Sequence, residues 1–153
     1  MIFFECVLCA RCGQRICKFQ GDFMKGSCLC GKCVFEIVGD SGPVGKCHCT
    51  KCRKVSGTGS NAVFWVRPEN FEWLSGEGDT KKYYLPDGWR SIFCNDCGSP
   101  LPAFVGEKMW IVPAGLIDED PMVGVRGHIW VENKPHWEII GDDAPQFLQT
   151  PSE

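Results

Sequence analysis

Seven of the twelve cysteines fall in three tight clusters: Cys28-x-Cys30, Cys47-His48-Cys49-x-x-Cys52 and Cys94-x-x-Cys97. Thiolates at these spacings can converge on a single ion. Seven do not fill two tetrahedral sites; they divide into four and three. A four-thiolate zinc is closed and structural, whereas a three-thiolate zinc keeps a position for water or a substrate. The count predicts one metal that holds the fold and a second that does chemistry.

Each cluster can be read from its neighbours. Cys94-Asn95-Asp96-Cys97-Gly98 is a turn in which two thiolates meet one ion, backbone N–H groups point at the sulfurs, and Gly98 permits a left-handed residue. One such knuckle supplies two ligands and needs a partner. Cys28-x-Cys30, at the start of a strand, is the best candidate, and the two pairs together make a four-thiolate site. Cys47, Cys49 and Cys52 can wrap one side of a second ion. His48 sits between two ligands already used, so it is expected as a hydrogen-bonding neighbour rather than a fourth ligand. Arg53 and Lys54 follow at once and place positive charge beside the open position; a solvated surface pair is the plain alternative. Cys33 could replace a ligand or complete the three-thiolate site, and is expected to be a spare thiol or a neighbour of the ligands.

The bulk of the sequence narrows the field. At 153 residues one domain is expected. Formal net charge is -3, from 16 basic and 19 acidic residues. Seven ligating thiolates and two zinc ions would move it to about -6, because ligating thiols must be deprotonated. There is no basic stripe, which argues against a nucleic-acid partner. No apolar run approaches the roughly 18 residues of a membrane span. The opening Met1-Ile2-Phe3-Phe4-Glu5-Cys6 lacks a basic leader and a sustained apolar stretch, so no signal peptide is expected. Cysteines here are therefore expected reduced and metal-bound in the cytoplasm, rather than disulfide-bonded.

The elements that must position these residues read mostly as strands. Cys33 to Val38, Ser60 to Arg67 and Phe71 to Leu74 are rich in β-branched and aromatic residues. Lys81 to Leu85 and Trp89 to Phe93 flank Pro86-Asp87-Gly88, a hairpin signal. Leu101 to Val105 and Met109 to Pro113 flank Gly106-Glu107-Lys108, a second one. His128 to Val131 makes a late strand. Helix signals are short, near Cys49 to Val55 and Asp143 to Leu148. The expectation is a mainly β domain of twisted antiparallel sheets with few short helices, whose loops carry the ligands. Residues 1–23 differ: Cys6, Cys9, Cys12 and Cys17 crowd a stretch without period. It reads as an N-terminal extension, with Met24 as a candidate natural start and the domain running over 24–150. Cys9-Ala10-Arg11-Cys12-Gly13 also resembles a zinc knuckle, which would make a third metal site.

At Gly26-Ser27-Cys28-Leu29-Cys30-Gly31, Cys47-His48-Cys49-Thr50-Lys51-Cys52-Arg53-Lys54 and Phe93-Cys94-Asn95-Asp96-Cys97-Gly98-Ser99, the sequence resembles the glutathione-dependent formaldehyde-activating enzyme family, which also includes centromere protein V. His128-Ile129-Trp130-Val131 through Trp137, and Asp142 to Phe147, look like the same family. The resemblance covers residues 24–150; Cys33 and residues 1–23 depart from it. It implies a β-tent fold with a structural zinc on Cys28, Cys30, Cys94 and Cys97 and a catalytic zinc on Cys47, Cys49 and Cys52. It also implies a carbon–sulfur lyase that joins glutathione and formaldehyde as S-hydroxymethylglutathione, or cleaves that adduct.

In that expectation a thiol such as glutathione binds the open zinc and is deprotonated, and its sulfur attacks the aldehyde carbon. Water or His48 protonates the alkoxide. Arg53, Lys54 and Arg90 hold the tripeptide's carboxylates. Phe64, Trp65 and Trp89 line the pocket or pack the core. Two other classes fit the same cysteines: a non-catalytic zinc module that carries a thiol or binds a protein partner, with both metals closed, and an iron–sulfur protein.

Overall fold

Runs of β-branched and aromatic residues, cut short by glycine and proline, become short strands. The computed structural model describes residues 5–8, 15–18, 23–39 and 41–151. Strands β1 (Glu5–Leu8) and β2 (Arg15–Lys18) pair antiparallel, with the backbone of Cys6 opposite that of Cys17. The knuckle read at Cys9 and Cys12 lies outside the described residues, as does most of the stretch assigned to the extension. Then come β3 (Phe23–Ser27), β4 (Val34–Val38), β5 (Val44–Cys47), the helix α1 (Thr50–Ser56), β6 (Asn61–Val66) and β7 (Phe71–Ser75). The chain continues through β8 (Thr80–Tyr84), β9 (Arg90–Cys94), β10 (Ala103–Val105), β11 (Met109–Pro113) and β12 (Val125–Ile129).

Among the described residues four sheets form: β1-β2, β3-β4-β7, β8-β9 and the five-stranded β10-β11-β6-β5-β12. The fold is mainly β, and the strands pair antiparallel except at β12. β12 runs parallel to β5, with Ile129 opposite Cys47. Parallel neighbours need a long connection, and here it is most of the domain: the chain leaves β5 for β6 on one side and reaches the other side of β5 only after β11. Between the three- and five-stranded sheets lies a core of Phe35, Ile37, Phe64, Val66 and Val112, all essentially buried. Each such side chain contributes about 1.5–3 kcal/mol through burial. Phe71 stacks on Trp110 with ring centroids 4.1 Å apart, closing that core with Trp73. A second cluster joins Cys28, Cys33 and Cys94 to Ile92 and Leu101, so the first cysteine site is also a hydrophobic junction.

Two sequence expectations are corrected. The helix expected over Asp143 to Leu148 does not form. Pro145 O accepts from the His128 amide at 2.8 Å and the Phe147 amide donates back to His128 O at 2.8 Å. Pro145 and Phe147 thus spend their backbone groups on the chain at His128 to Val131 instead of on helical pairing. The late strand is also displaced, starting at Val125 and stopping at Ile129, because Trp130 takes a left-handed conformation (φ 59°) at a short 3-10 turn. Strands β1, β2, β3 and β5 were not expected. β5 has a glycine in its middle, ordinarily a weak strand signal. A Cβ on Gly45 would lie 2.0 Å from the Trp65 ring, so glycine is what lets that indole cross the strand.

Candidate metal centres and the cleft beside them

The first centre forms where two turns face each other. β3 delivers Cys28, and the chain reverses through Gly31 (φ +75°), whose amide donates to Cys28 O at 2.8 Å. β9 delivers Cys94, and the chain reverses through Gly98 (φ +74°), whose amide donates to Cys94 O at 3.0 Å. The Sγ atoms of Cys28, Cys30, Cys94 and Cys97 all lie within 4.8 Å of one another. Cys28 and Cys30 sulfurs are 3.5 Å apart, and Cys30 and Cys94 sulfurs 3.8 Å. Disulfide sulfurs would sit at about 2.05 Å. Corners of a tetrahedron with zinc–sulfur bonds of about 2.3 Å lie about 3.8 Å apart. The donor set therefore fits a tetrahedral thiophilic ion and not a pair of bridges.

Neighbouring groups finish this centre. The Cys33 amide donates to Cys28 Sγ at 3.3 Å. Ser99 Oγ accepts the Leu29 amide at 3.0 Å and lies 3.3 Å from Cys97 Sγ, where its hydroxyl can donate to a thiolate. Lys32 bridges Asp96 (2.6 Å) and Asp79 (3.4 Å), tying the two turns together at the surface. Cys33 itself is buried, its thiol donates to Gly76 O at 3.3 Å, and burial pushes it up to about 12. It stands behind the site as a protonated thiol, outside the convergent four.

Four sulfurs this close cannot all ionise without a cation. The Ser99 hydroxyl and amide hold Cys97 down to about 5. Burial opposes ionisation of Cys28, but the Cys33 amide and the thiols of Cys30 and Cys94 outweigh it and leave Cys28 below its ordinary value. Cys30 receives help from the Lys32 amide, yet the neighbouring Cys28 and the other thiols push it up to about 12. A dication removes that conflict and releases the retained protons.

The second centre sits at the end of β5 and the start of α1. Cys49 caps the helix: its Sγ accepts the Cys52 amide at 3.4 Å. Gly57 ends the helix in a left-handed conformation, its amide donating to Arg53 O at 2.9 Å. The three sulfurs of Cys47, Cys49 and Cys52 lie within 4.8 Å of one another, and among the described residues no further Cys, His, Asp or Glu joins them. Hydrogen bonding from Cys52 holds Cys47 down to about 6, while Cys47 drives Cys52 well above the usual thiol range. Three convergent thiols supply three corners of a tetrahedral thiophilic site and leave one to spare.

His48 lies between two of these cysteines in sequence but is wholly buried. Its Nε2 is 2.9 Å from His128 Nδ1, and His128 Nε2 lies 3.1 Å from Asp142 Oδ1. Asp142 also accepts the Ala144 amide at 3.0 Å, and the His128 contact with that amide holds its carboxyl below the usual range. A carboxylate on His128 Nε2–H leaves Nδ1 as acceptor, so His48 donates from Nε2. The His48 amide also donates to Ile129 O at 2.9 Å. The loop between Cys47 and Cys49 is thus pinned to β12 and to the C-terminal segment. His48 Nδ1 has no hydrogen-bond partner among the described residues, and burial together with the neighbouring His128 holds the ring's pKa below the ordinary imidazole value. These contacts match the expectation of His48 as a hydrogen-bonding neighbour of the ligands, with its ring turned to His128.

Beside the second centre is a cleft of about 240 Å³, whose lining includes Cys52, Val55, Asn61, Trp89, Arg90 and Ile111. An adjoining cleft of about 480 Å³ shares Val55, Trp89 and Ser91 with it and adds Lys51, Lys54 and Tyr83. The structure thus brings Arg90 to the Cys52 cleft and Lys54 to its neighbour. The Arg90 guanidinium donates to Phe104 O. Arg53 lines neither cleft and donates to Asn133 O. Lys51 is paired with Asp87, which is held below the usual carboxylate range by that ammonium and by the Trp89 amide. Trp89 stands where the clefts meet, whereas Phe64 belongs to the core and Trp65 crosses Gly45. The His48–His128–Asp142 chain was not legible from sequence: 80 residues separate the two histidines, and no local spacing joins them.

Comparison with known proteins follows this geometry. A family model described as glutathione-dependent formaldehyde-activating enzyme matches residues 23–133. A Halomonas elongata protein, provisionally named a glutathione-dependent formaldehyde-activating enzyme, is 34% identical over 128 residues, covering 76% of this chain and 80% of its own. A crystal structure of a Rhodobacter sphaeroides protein superposes with a TM-score of 0.53 at 19% identity, over 67% of this chain and 99% of that one, a likeness of fold.

Proposed function

The chain belongs to the glutathione-dependent formaldehyde-activating enzyme family, and from that premise we propose that it is a zinc-dependent carbon–sulfur lyase-type enzyme. Its substrate is a small thiol, glutathione in the first instance, and it forms or cleaves an S-hydroxymethyl adduct with formaldehyde. The observation that carries this reading is the second centre: three sulfurs converge, no fourth ligand joins them among the described residues, and one of the three, Cys52, lines a cleft.

Two zinc ions per chain are proposed, on Cys28, Cys30, Cys94 and Cys97 and on Cys47, Cys49 and Cys52, within a domain spanning 24–150 and preceded by an extension over 1–23. A zinc ion at the second centre supplies a Lewis acid that lowers the pKa of an incoming thiol. The chain's own residues do the rest. Cys49 presents its sulfur from a helix cap, so the ligand loop is preset. His48, held by His128 and Asp142, fixes the backbone between Cys47 and Cys49. Trp89 and Val55 line both clefts beside the centre, and Lys54 offers a cation for a carboxylate of the thiol. The thiolate adds to the carbonyl carbon, and solvent supplies the proton to the oxygen. No helix among the described residues is long and apolar enough to cross a membrane, and a cytoplasmic enzyme is proposed.

Cobalt substitution tests the reading. With glutathione added, one component of the visible spectrum should change saturably while a second, from the closed site, stays constant. A spectrum that never moves sinks the open-site reading and favours a closed, non-catalytic zinc module.

A further inference from the structure

The cleft beside Cys52 is far larger than a one-carbon substrate. Its volume is about 240 Å³, and formaldehyde has only two heavy atoms. The remainder is bounded by Val55 of α1, Val63 of β6, Ile92 of β9, Leu101, Ala103 of β10 and Ile111 of β11. Polar groups are few: Asn61, Ser91 and Arg90, whose guanidinium already donates to Phe104 O. The wall offers solvent few polar partners. The same wall suits hydrocarbon.

We propose that, beyond formaldehyde, this site takes aldehydes that carry an apolar chain of several carbons, which lodges in the Cys52 cleft. The inference rests on the open three-cysteine centre argued above. The thiolate sulfur adds to the carbonyl carbon, the S–C bond forms, and the π pair moves to oxygen. Oxygen then takes up a proton equivalent to the one the thiol released, so that RSH + R′CHO gives RS–CH(OH)R′. R′ lies in the apolar cleft. The polar remainder of the thiol lies in the adjoining cleft, where Lys54 is a cation not committed to Asp87. Each methylene buried against this wall should tighten binding about fourfold.

Normal alkanethiols reproduce the chain half of the adduct, S–CH2–R′, and serve as probes. Ethanethiol, butanethiol and hexanethiol are titrated into the cobalt-loaded full chain, and the half-saturating concentration is read from the visible band. The expected result is a fall of about fourfold per added methylene until the cleft is filled. Ala103→Phe, which fills the wall, and Val105→Phe on the cleft's exposed rim should abolish the gain with chain length while leaving ethanethiol binding in place. Equal half-saturation across the series overturns the proposal and leaves the open-metal reading intact. A gain that persists in both variants is non-specific partitioning and also overturns it. A band that no thiol shifts overturns the open-metal reading itself.

Discussion

Gly76 supports the first metal centre from behind, and replacing it should damage that centre in a calculable way. The residue is left-handed (φ +72°) at the turn after β7, and it packs on the backbone of Lys32 and Cys33. A Cβ there would lie 2.4 Å from Lys32 O, 2.8 Å from Cys33 Cα and 2.9 Å from Lys32 C. These are backbone atoms of the turn that carries Cys30 and the amide bonded to Cys28 Sγ, so relief requires moving that turn. Gly88 is the control: it is equally left-handed (φ +82°), with nothing within 4 Å of its Cβ direction. Left-handed strain costs about 1–2 kcal/mol, offset by about 0.4–1 kcal/mol from a less flexible unfolded chain. Gly88→Ala should therefore lose about 1 kcal/mol. Gly76→Ala adds an overpacking cost of about 1–3 kcal/mol, for about 2–4 kcal/mol in all. At about 3 °C per kcal/mol for a chain of this size, thermal melts should show losses of ~3 °C for Gly88→Ala and ~6–12 °C for Gly76→Ala. Chelator-driven metal release from the four-cysteine site should accelerate only in Gly76→Ala. Equal melting losses for the two variants would show that the close approach to Lys32 and Cys33 is not what makes Gly76 necessary.

Other outcomes are equally specific. Cys52→Ser should reduce bound zinc from two ions to one, measured by elemental analysis, with the strand signature in circular dichroism unchanged; loss of both ions would mean the sites are not separable. Asp142→Asn keeps an oxygen that accepts from His128 Nε2–H, whereas Asp142→Ala does not, so only the alanine variant should change the ¹⁵N imidazole shifts that report the His128 tautomer and hasten zinc loss from the second site. His48 has a depressed pKa in the folded state. The unfolded chain therefore binds a proton below about 6.5 that the native chain refuses. Stability should be level above that pH and fall as the pH drops below it, and His48→Gln should remove that part of the acid loss while leaving any part caused by metal release, read by comparing denaturant midpoints at pH 7.5 and 5.5. Lys54→Gln should weaken glutathione in the cobalt titration more than it weakens ethanethiol, which has no carboxylate for Lys54 to hold; an equal effect on both would remove Lys54 from thiol binding.

The sequence by itself determined what is local. Thiolate spacing within a turn is a property of a few residues, so Cys94-x-x-Cys97-Gly98 announces its left-handed Gly98, and Cys49 at the head of a short helix announces its position in the ligand loop. β-rich runs bounded by Pro86-Asp87-Gly88 and Gly106-Glu107-Lys108 announce their hairpins for the same reason. Tertiary structure decided what joins distant segments. It set β12 parallel to β5, which places His128 of one strand against His48 just beyond the other. It took the Asp143 to Leu148 segment out of helix by committing its backbone to His128. It committed Arg53 and Arg90 to the carbonyls of Asn133 and Phe104, roles no spacing could reveal. The physical reason is shared by all of these: hydrogen-bonding and desolvation demands of buried groups are met by whatever the fold brings within about 3 Å, and sequence separation carries no record of that distance.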